Sequence, residues 1–416
     1  MDFSEPIDLK LIREAVSNVC RDFSDEYWER QDREGQYPQE FYDAMAEAGW
    51  IGIAIPEAYG GAGKGVQEAA VVLEQVAASG AAMNGATPLH LSMFGMHPVI
   101  KHGSESMKKL YLPDIASGKL QVAFGVTEPN AGSDTTSIET RASLVDGHYV
   151  VSGRKVWTTK ALESDRVLLL VRTQSKQEVE RKTDGMTLLF AELKRPEVAI
   201  SPIEKLGRNA VRTCEVVYDE LKVAESDRVG EEGKGFRYLL DGLNAERILI
   251  AAEAVGIGRA ALARAVSYAN ERVVFGRPIG KNQGIAFPLA EARTRLDAAG
   301  LMVQKAAWKL DQGMPCGTEA NMAKWLAAEA AEKPLRKLAE KRAEEADREW
   351  MRQFEEQSAR IEAQKKERAR QLEAQKKQRR QDARKLPCEA HWVSLSAGQR
   401  ATAWRLGFNE TSWVHD

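Results

Sequence analysis

The spacing of apolar residues changes twice along this chain, and the order of these changes restricts the folds open to it. Residues 8–122 show helical spacing, as in DLKLIREAVSNVCRDF, where apolar residues recur every three or four positions. From Gln121 to about Val229 the spacing falls to two, and the segment VDGHYVVSG contains the Asp-Gly pair of a tight hairpin. Helical spacing then returns. Helices, a block of strands and helices again predict an α+β fold with separate domains rather than alternating βαβ units.

The pattern divides the chain into five predicted segments. They are a helical domain at 1–122, a β domain at 123–230, a second helical domain at 231–331, a charged helix at 332–386 and a Trp-rich tail at 387–416. In the first segment, we expect Pro113 to break HPVIKHGSESMKKLYLPDIASGK into two short helices, because proline removes a helical hydrogen bond.

The charged segment contains an internal repeat, IEAQKKERARQ followed directly by LEAQKKQRRQD. A period of eleven residues fits three helical turns, so Ile361 and Leu372 fall on one nearly straight stripe of a helix of coiled-coil type. Acidic and basic residues alternate along it, which favours a solvated helix with i,i+4 charge pairs over nucleic-acid binding. The whole chain has 59 Lys and Arg against 61 Asp and Glu, so its charge also indicates no nucleic-acid or membrane partner.

Four scattered cysteines, Cys20, Cys214, Cys316 and Cys388, contain no CxxC pair. This spacing predicts neither a disulfide framework nor a metal site, and it favours a reducing compartment. The first residues, MDFSEPIDLKLIREAV, lack the apolar core of a signal peptide, and no apolar run approaches the roughly 18 residues of a membrane helix. We therefore expect a cytoplasmic protein, or one in the mitochondrial matrix or peroxisome.

Three motifs occur in a fixed order: FGVTEPNAGSD, VVSGRKVWTTKA and NERVVFGRPIGKNQGIAFPLAEA. With the order of domains, they resemble the acyl-CoA dehydrogenase family over about residues 5–331. The resemblance implies a helical N-terminal domain, a β-barrel-like middle domain and a C-terminal helical bundle, with FAD between the last two. It further implies oxidation of an acyl-CoA in fatty acid metabolism, an electron-transferring flavoprotein as electron acceptor, and a homo-oligomer.

The resemblance places one part of the flavin site in the first two motifs. Backbone N–H groups of a loop rich in small residues can approach a ring edge closely, and hydroxyl groups supply donors. By resemblance, Thr127 bonds the pyrimidine edge of the flavin, Ser133 lies near the pyrophosphate and the thioester arm of CoA, and Trp157 covers the other side. The predicted cofactor residues of these motifs are Phe124, Val126, Thr127, Gly132, Ser133, Trp157, Thr158 and Thr159. The alternative interpretation is a hairpin turn followed by a buried Trp.

The third motif supplies two more predicted cofactor residues, Arg272 and Gln283. In the family, residues at these positions reach the FAD phosphate or adenine across a subunit interface. A guanidinium suits phosphate because its planar fork can bond two oxygens at once. The alternative is an exposed arginine at a helix end and a capping glutamine.

The resemblance implies that a carboxylate removes the α-proton of the thioester while the β-hydride passes to the flavin. Such a base needs a desolvated site, and the carbonyl oxygen needs donors where enolate charge develops. The family places its base late in the C-terminal bundle or on the first helix after the β domain, and GLNAERILIAAEAVG puts Glu246 at the second position. By resemblance, the channel for acyl-CoA is lined by Ser133, Asn244, Ala245 and Arg247. The alternative for Glu246 is a carboxylate at a helix start that complements the dipole or pairs with a nearby Lys or Arg.

The chain departs from the family after Ala331. Two further bundle helices, with a QxxGG segment that holds the FAD of the partner subunit, are replaced by EKPLRKLAEKRAEEADREW. The bundle is therefore predicted to be partial, and an apolar face is expected to be exposed at Ile248, Ile250, Val255, Trp308 and Trp325. Either a genuine fusion or a gene prediction that joins unrelated exons explains the change. Two alternative functions follow: a catalytically inactive interaction protein that uses the charged helix, and a flavin oxidase of the same fold.

Overall fold

The computed structural model of this chain describes residues 5–332 and scattered positions between 363 and 401. Apart from those positions, the charged helix predicted for 332–386 and the Trp-rich tail predicted for 387–416 lie outside the described residues. The continuous part belongs to one compact unit, Met1–Leu338, and all that follows concerns this unit.

The first layer is a group of helices with apolar faces turned inward. In chain order they are α1 (Ile7–Cys20), α2 (Asp25–Glu34), α3 (Gln39–Glu47), α4 (Val66–Val76), α5 (Ala82–Phe94), α6 (His97–His102) and α7 (Glu105–Ala116). The predicted break at Pro113 is wrong, because α7 continues through that residue. The break lies at Gly103 and Ser104, where the backbone is extended and the Ser104 hydroxyl accepts a hydrogen bond from the Met107 amide at 3.2 Å.

The second layer is a mainly antiparallel sheet of eight strands. They are β1 (Val122–Gly125), β2 (Arg141–Val145), β3 (His148–Thr159), β4 (Arg166–Arg172), β5 (Met186–Glu192), β6 (Val198–Pro202), β7 (Thr213–Ala224) and β8 (Arg228–Val229). The order is β6-β7-β3-β2-β4-β5-β8, and β1 lies parallel to β4. The predicted hairpin is confirmed: β2 and β3 are joined through Asp146 and Gly147, both with positive φ, as a two-residue turn of this hand requires.

The third layer consists of α8 (Gly235–Glu271), a short hairpin β9 (Val273–Val274) and β10 (Arg277–Pro278), α9 (Gln283–Asp311) and a helix at 317–332, here α10. Helix α8 crosses α4 so closely that a Cβ on Gly256 would clash with the carbonyl oxygen of Glu74. Residues of α4, α5, α8, α9 and α10 share one core cluster. The first and last helical segments are thus packed together, and the boundaries near 122 and 230 stay predictions.

The predicted exposed apolar face of the bundle is only partly correct. Ile248 and Val255 are buried, because α8 packs against the N-terminal helices, and Ile250 is half-buried. Trp308 and Trp325 are exposed by 46% and 64%, as expected. A groove of about 930 Å³ runs along α8 and α9, with lining residues that include Leu262, Val266, Leu289 and Arg293.

Three further features concern the described part of the chain as a whole. None of its helices has the length and apolar character needed to cross a membrane. Over the same residues, no group of three or more His, Cys, Asp or Glu side chains is placed to hold a metal ion. Cys20, Cys214 and Cys316 are buried as free thiols.

Candidate active site

The loop after β1 is held by a buried lysine on β3. The ammonium of Lys155 donates to the Val126 carbonyl at 2.9 Å and to Glu128 Oε1 at 2.8 Å. Glu128 also accepts from the amides of Glu139 and Thr140, at 2.6 and 3.0 Å. Burial lowers the pKa of Lys155 to about 8 against the opposing charge of Glu128. Burial alone would raise the pKa of Glu128, but Lys155 and these hydrogen bonds lower it below its ordinary value. Every charge in this pair therefore has a partner.

The strand that carries Lys155 is distorted immediately after it. The Val156 amide donates to the Thr127 carbonyl at 2.9 Å, and the pairing of β3 with β7 shifts register between Lys155 and Thr158. Trp157 adopts a φ of 62° and leaves its side chain 57% exposed. Positive φ is strained for a bulky residue and persists when its surroundings impose it. The alternative of a buried Trp is therefore wrong.

The two threonines after Trp157 point to different surroundings. Thr158 is buried, and its hydroxyl has no hydrogen-bond partner among the described residues. The Thr159 hydroxyl lies 3.4 Å from that of Thr213. A buried hydroxyl without a partner is a feature that a bound group can satisfy.

The far end of the loop is open. Gly132 and Ser133 are exposed, and a Cβ added at Gly132 would meet no other described atom within 4 Å. Phe124 at the near end is half-buried, with its ring centroid 5.2 Å from that of Phe94. The loop thus has a packed end at Phe124 and an accessible backbone at Gly132 and Ser133.

Glu246 lies inside α8 rather than at its start, because the helix begins at Gly235. It is half-buried, and among the described residues no hydrogen bond or ion pair holds its carboxylate. Its neighbour Arg247 donates instead to Asn244 Oδ1 at 3.1 Å, and Ala245 is buried. Both alternatives for Glu246, dipole complement and ion-pair partner, are therefore wrong.

A second acidic residue of α8 was missed by the sequence reasoning. Glu253 is 0% exposed, and its Oε1 lies 2.8 Å from Nδ1 of His90 on α5. Glu253 Oε2 has no partner among the described residues. The segment ILIAAEAVG contained a signal for it. A lone Glu among apolar helix residues is expected to be buried with them, and a buried carboxylate needs a hydrogen-bonding partner.

The same region receives an arginine from the loop between β6 and β7. Burial lowers the pKa of Arg208, and the charge of Glu253 opposes this effect. Its guanidinium nitrogens lie 3.5 Å from the hydroxyls of Thr87 on α5 and Thr213 on β7. Arg208, His90 and Glu253 therefore bring three elements together around a buried polar cluster.

Arg272 and Gln283 are both exposed, at the end of α8 and the start of α9. Between them the β9–β10 hairpin presents Phe275 to solvent, again with a positive φ. Within residues 5–332, no hydrogen bond or ion pair joins either side chain to the loop at Thr127. The fold of one chain does not bring these two predicted cofactor residues into contact with the others.

Sequence profiles of known families match three consecutive parts of the chain. They are the acyl-CoA dehydrogenase N-terminal domain at residues 7–119, middle domain at 123–221 and C-terminal domain at 233–343. Over 324 residues the chain is 36% identical to an acyl-CoA dehydrogenase of Bacillus subtilis strain 168, covering 78% of this chain and 84% of that protein.

Solved structures show the same similarity. The butyryl-CoA dehydrogenase of Megasphaera elsdenii superposes with a TM-score of 0.76 at 31% identity, over 80% of this chain and 87% of that one. The FAD complex of PigA gives a TM-score of 0.76 at 25% identity, with the same coverage. The similarity extends over the three layers described above.

Proposed function

This chain belongs to the acyl-CoA dehydrogenase family, and we propose that it oxidises an acyl-CoA to its α,β-unsaturated thioester with Glu246 as the base. Family membership makes it an oxidoreductase, and the family together with the FAD complex of PigA indicates FAD as its cofactor. FAD, when bound, supplies the acceptor for the hydride that leaves the β-carbon.

The observation that carries this proposal is the state of Glu246. Its carboxylate is half-buried in mid-helix, and among the described residues no hydrogen bond or ion pair engages it, so its position leaves it open to a substrate. A carboxylate engaged by Arg247 would be a weaker base, but that guanidinium is turned to Asn244. Glu246 is therefore proposed to take the α-proton on one of its carboxylate oxygens, with Asn244, Ala245 and Arg247 beside the substrate.

The residues around β3 fit the cofactor. The Thr158 hydroxyl has no partner among the described residues, Trp157 presents an uncovered aromatic face, and the backbone at Gly132 is accessible. We propose that the flavin is bound by Thr127, Trp157, Thr158 and Thr159. Ser133 is proposed to lie near the pyrophosphate of FAD and the thioester arm of CoA. Phe124 and Val126, which pack against a buried apolar cluster, are proposed to line the same cofactor site.

A homo-oligomer is also proposed, because the β9–β10 hairpin exposes Val273, Val274 and Phe275 together. Exposed apolar side chains of this kind mark an interface. In such an assembly Arg272 and Gln283 would reach the FAD of a neighbouring subunit. We further propose an electron-transferring flavoprotein as the acceptor of the electrons.

The second candidate, a catalytically inactive interaction protein, is favoured by one observation. The α8–α9 groove and the exposed Trp308 and Trp325 lie on the bundle, where the family would add two more helices. This candidate predicts a protein that folds without binding flavin.

The test is the visible absorption spectrum of the full chain, with FAD added if needed, before and after anaerobic addition of saturated acyl-CoAs. We expect a flavin band that bleaches. Glu246→Gln should retain the band and lose bleaching by roughly 10³-fold or more in rate, since the general base is removed. The matched control is Glu291→Gln, an exposed glutamate on α9.

Each other outcome overturns part of the proposal. Bleaching that survives Glu246→Gln overturns the base assignment. Bound flavin that no acyl-CoA bleaches overturns the dehydrogenase and favours the inactive protein, as does failure to bind FAD. Oxygen consumption during turnover would instead identify an oxidase.

A further inference from the structure

The buried pair of His90 and Glu253 is incomplete. Glu253 Oε1 has the His90 ring nitrogen at 2.8 Å, whereas Oε2 has no partner among the described residues. A carboxylate with no exposed surface is stable only when its charge is paired and its oxygens accept hydrogen bonds. One acceptor is therefore left for a donor that the described residues do not supply.

The pair lies on the side of α8 that carries the proposed base. Glu253 follows Glu246 by seven residues, close to two full turns, so both side chains leave the same face about 10 Å apart along the helix axis. The His90 ring lies 4.7 Å from that of Phe94, which in turn contacts Phe124 at the packed end of the flavin loop. The pair is thus connected through the rings of Phe94 and Phe124 to the packed end of the cofactor loop.

Building on the proposed function, we propose that the acyl chain runs from Glu246 along this face of α8 to the pair. In this proposal the acyl group carries a hydroxyl several carbons from the thioester, bound by Glu253, which His90 holds in position. The hydroxyl hydrogen donates to Glu253 Oε2.

Other chain ends fit less well. A plain alkyl end leaves Oε2 without a donor, so the desolvation free energy of this buried oxygen is not offset by a hydrogen bond. A carboxylate end places a second negative charge against Glu253. The nearby Arg208 does not make a carboxylate end favourable. Its positive charge already interacts with Glu253, and its guanidinium nitrogens lie close to the hydroxyls of Thr87 and Thr213. A hydroxyl supplies the missing donor without adding charge.

The experiment compares matched pairs of CoA thioesters, from butanoyl to dodecanoyl, with and without a hydroxyl on the terminal carbon. Binding is measured by calorimetry on the FAD-loaded Glu246→Gln variant, which holds the substrate without turnover, and flavin bleaching is measured on the wild type. At one chain length we expect the hydroxylated thioester to bind roughly 10- to 100-fold more tightly than its alkyl partner, as a hydrogen bond to a buried charge implies.

Two further variants test the pair itself. In the Glu246→Gln background, Glu253→Gln and His90→Phe should each reduce this preference to less than about threefold, because the charge or its positioning partner is lost. Ser92→Ala is the matched control, a buried hydroxyl on α5 two residues from His90, and it should retain the preference. If a variant fails to fold, the comparison of hydroxylated and alkyl thioesters on the wild type still tests the inference.

The outcomes separate this inference from the proposed function. If alkyl thioesters bleach the flavin and no chain length shows a preference for the hydroxyl, the inference is overturned and the dehydrogenase stands. A preference that survives both Glu253→Gln and His90→Phe also overturns it. If no thioester binds or bleaches the flavin, both the inference and the proposed function are overturned.

Discussion

Two buried acid–base pairs in this molecule differ in how completely their hydrogen bonds are satisfied. The pair of Glu128 and Lys155 is fully hydrogen-bonded, because the carboxylate accepts from the ammonium and from two backbone amides. Among the described residues, Glu253 has one partner, His90, and its second oxygen has none. The first pair fastens the loop after β1 to β3, whereas the second lies on the helix face of the proposed base. A complete buried network is suited to support structure, and an incomplete one is suited to receive a ligand.

The largest effect should come from breaking the complete pair. Lys155→Met leaves Glu128 buried without its counter-charge, and we expect a loss of about 3–5 kcal/mol in the free energy of unfolding. Urea denaturation of the apoprotein measures it, and FAD retention should fall with it because the loop is released. The double variant Lys155→Met/Glu128→Gln should recover part of the loss; equal losses in the single and double variants would contradict the role of the pair.

The buried Lys160 sharpens the comparison, because its ammonium forms no ion pair with an acidic side chain of the described residues. Lys160 donates to the Pro88 carbonyl at 3.1 Å, and burial lowers its pKa to about 7. Between about pH 7 and its ordinary pKa, the unfolded chain binds more protons than the folded one, so this lysine makes stability rise with pH. We expect wild type to gain about 1 kcal/mol per pH unit relative to Lys160→Met between pH 7 and 10.

Chemical denaturation at four pH values checks this slope. The control is Lys119→Met, an exposed lysine, which should follow wild type at every pH. A slope of zero for Lys160→Met relative to wild type would show that Lys160 stays charged when buried.

Opening the incomplete pair should cost little. Glu253→Gln removes a buried charge that is only half satisfied, and a neutral amide is cheaper to bury. We expect the free energy of unfolding in the absence of substrate to change by less than about 1 kcal/mol. Thermal and urea denaturation measure it. A loss as large as that of Lys155→Met would show that Oε2 is satisfied in the free protein, which removes the contrast between the two pairs.

The smallest effect on stability is expected at the exposed hairpin. Arg272→Ala should change the free energy of unfolding by less than about 0.5 kcal/mol, because the side chain is exposed. FAD should nevertheless dissociate roughly tenfold more readily, since a phosphate contact is lost. Equilibrium dialysis against FAD measures this, with Arg293→Ala on α9 as the control. Unchanged FAD affinity would remove Arg272 from the cofactor site.

Predictions from the sequence succeeded where the signal is local. The Asp146-Gly147 hairpin follows from a turn that needs two residues with positive φ, and the change of period between 122 and 229 follows from strand and helix geometry. The break assigned to Pro113 failed because a helix tolerates the loss of one hydrogen bond when its neighbours pack. The break lies at Gly103 and Ser104 instead, where the Ser104 hydroxyl caps the start of α7.

Predictions of exposure failed where the partner is distant in sequence. Ile248 and Val255 were expected on a bare face of the bundle, but α4 and α5 cover them. Trp308 and Trp325, on helices that the N-terminal domain covers less, are exposed as predicted.

By itself, the sequence determined the order of helices and strands, the positions of the three motifs and the placement of Glu246 on the first helix after the β domain. These features depend on the spacing of side chains along a continuous segment, so they can be read from it. The tertiary structure decided which carboxylates on α8 are paired and which are bare. His90 and Glu253 are 163 residues apart in the chain, and no local pattern states that α5 and α8 bring them to 2.8 Å. That contact, and the free oxygen beside it, exist because two apolar helix faces bury each other.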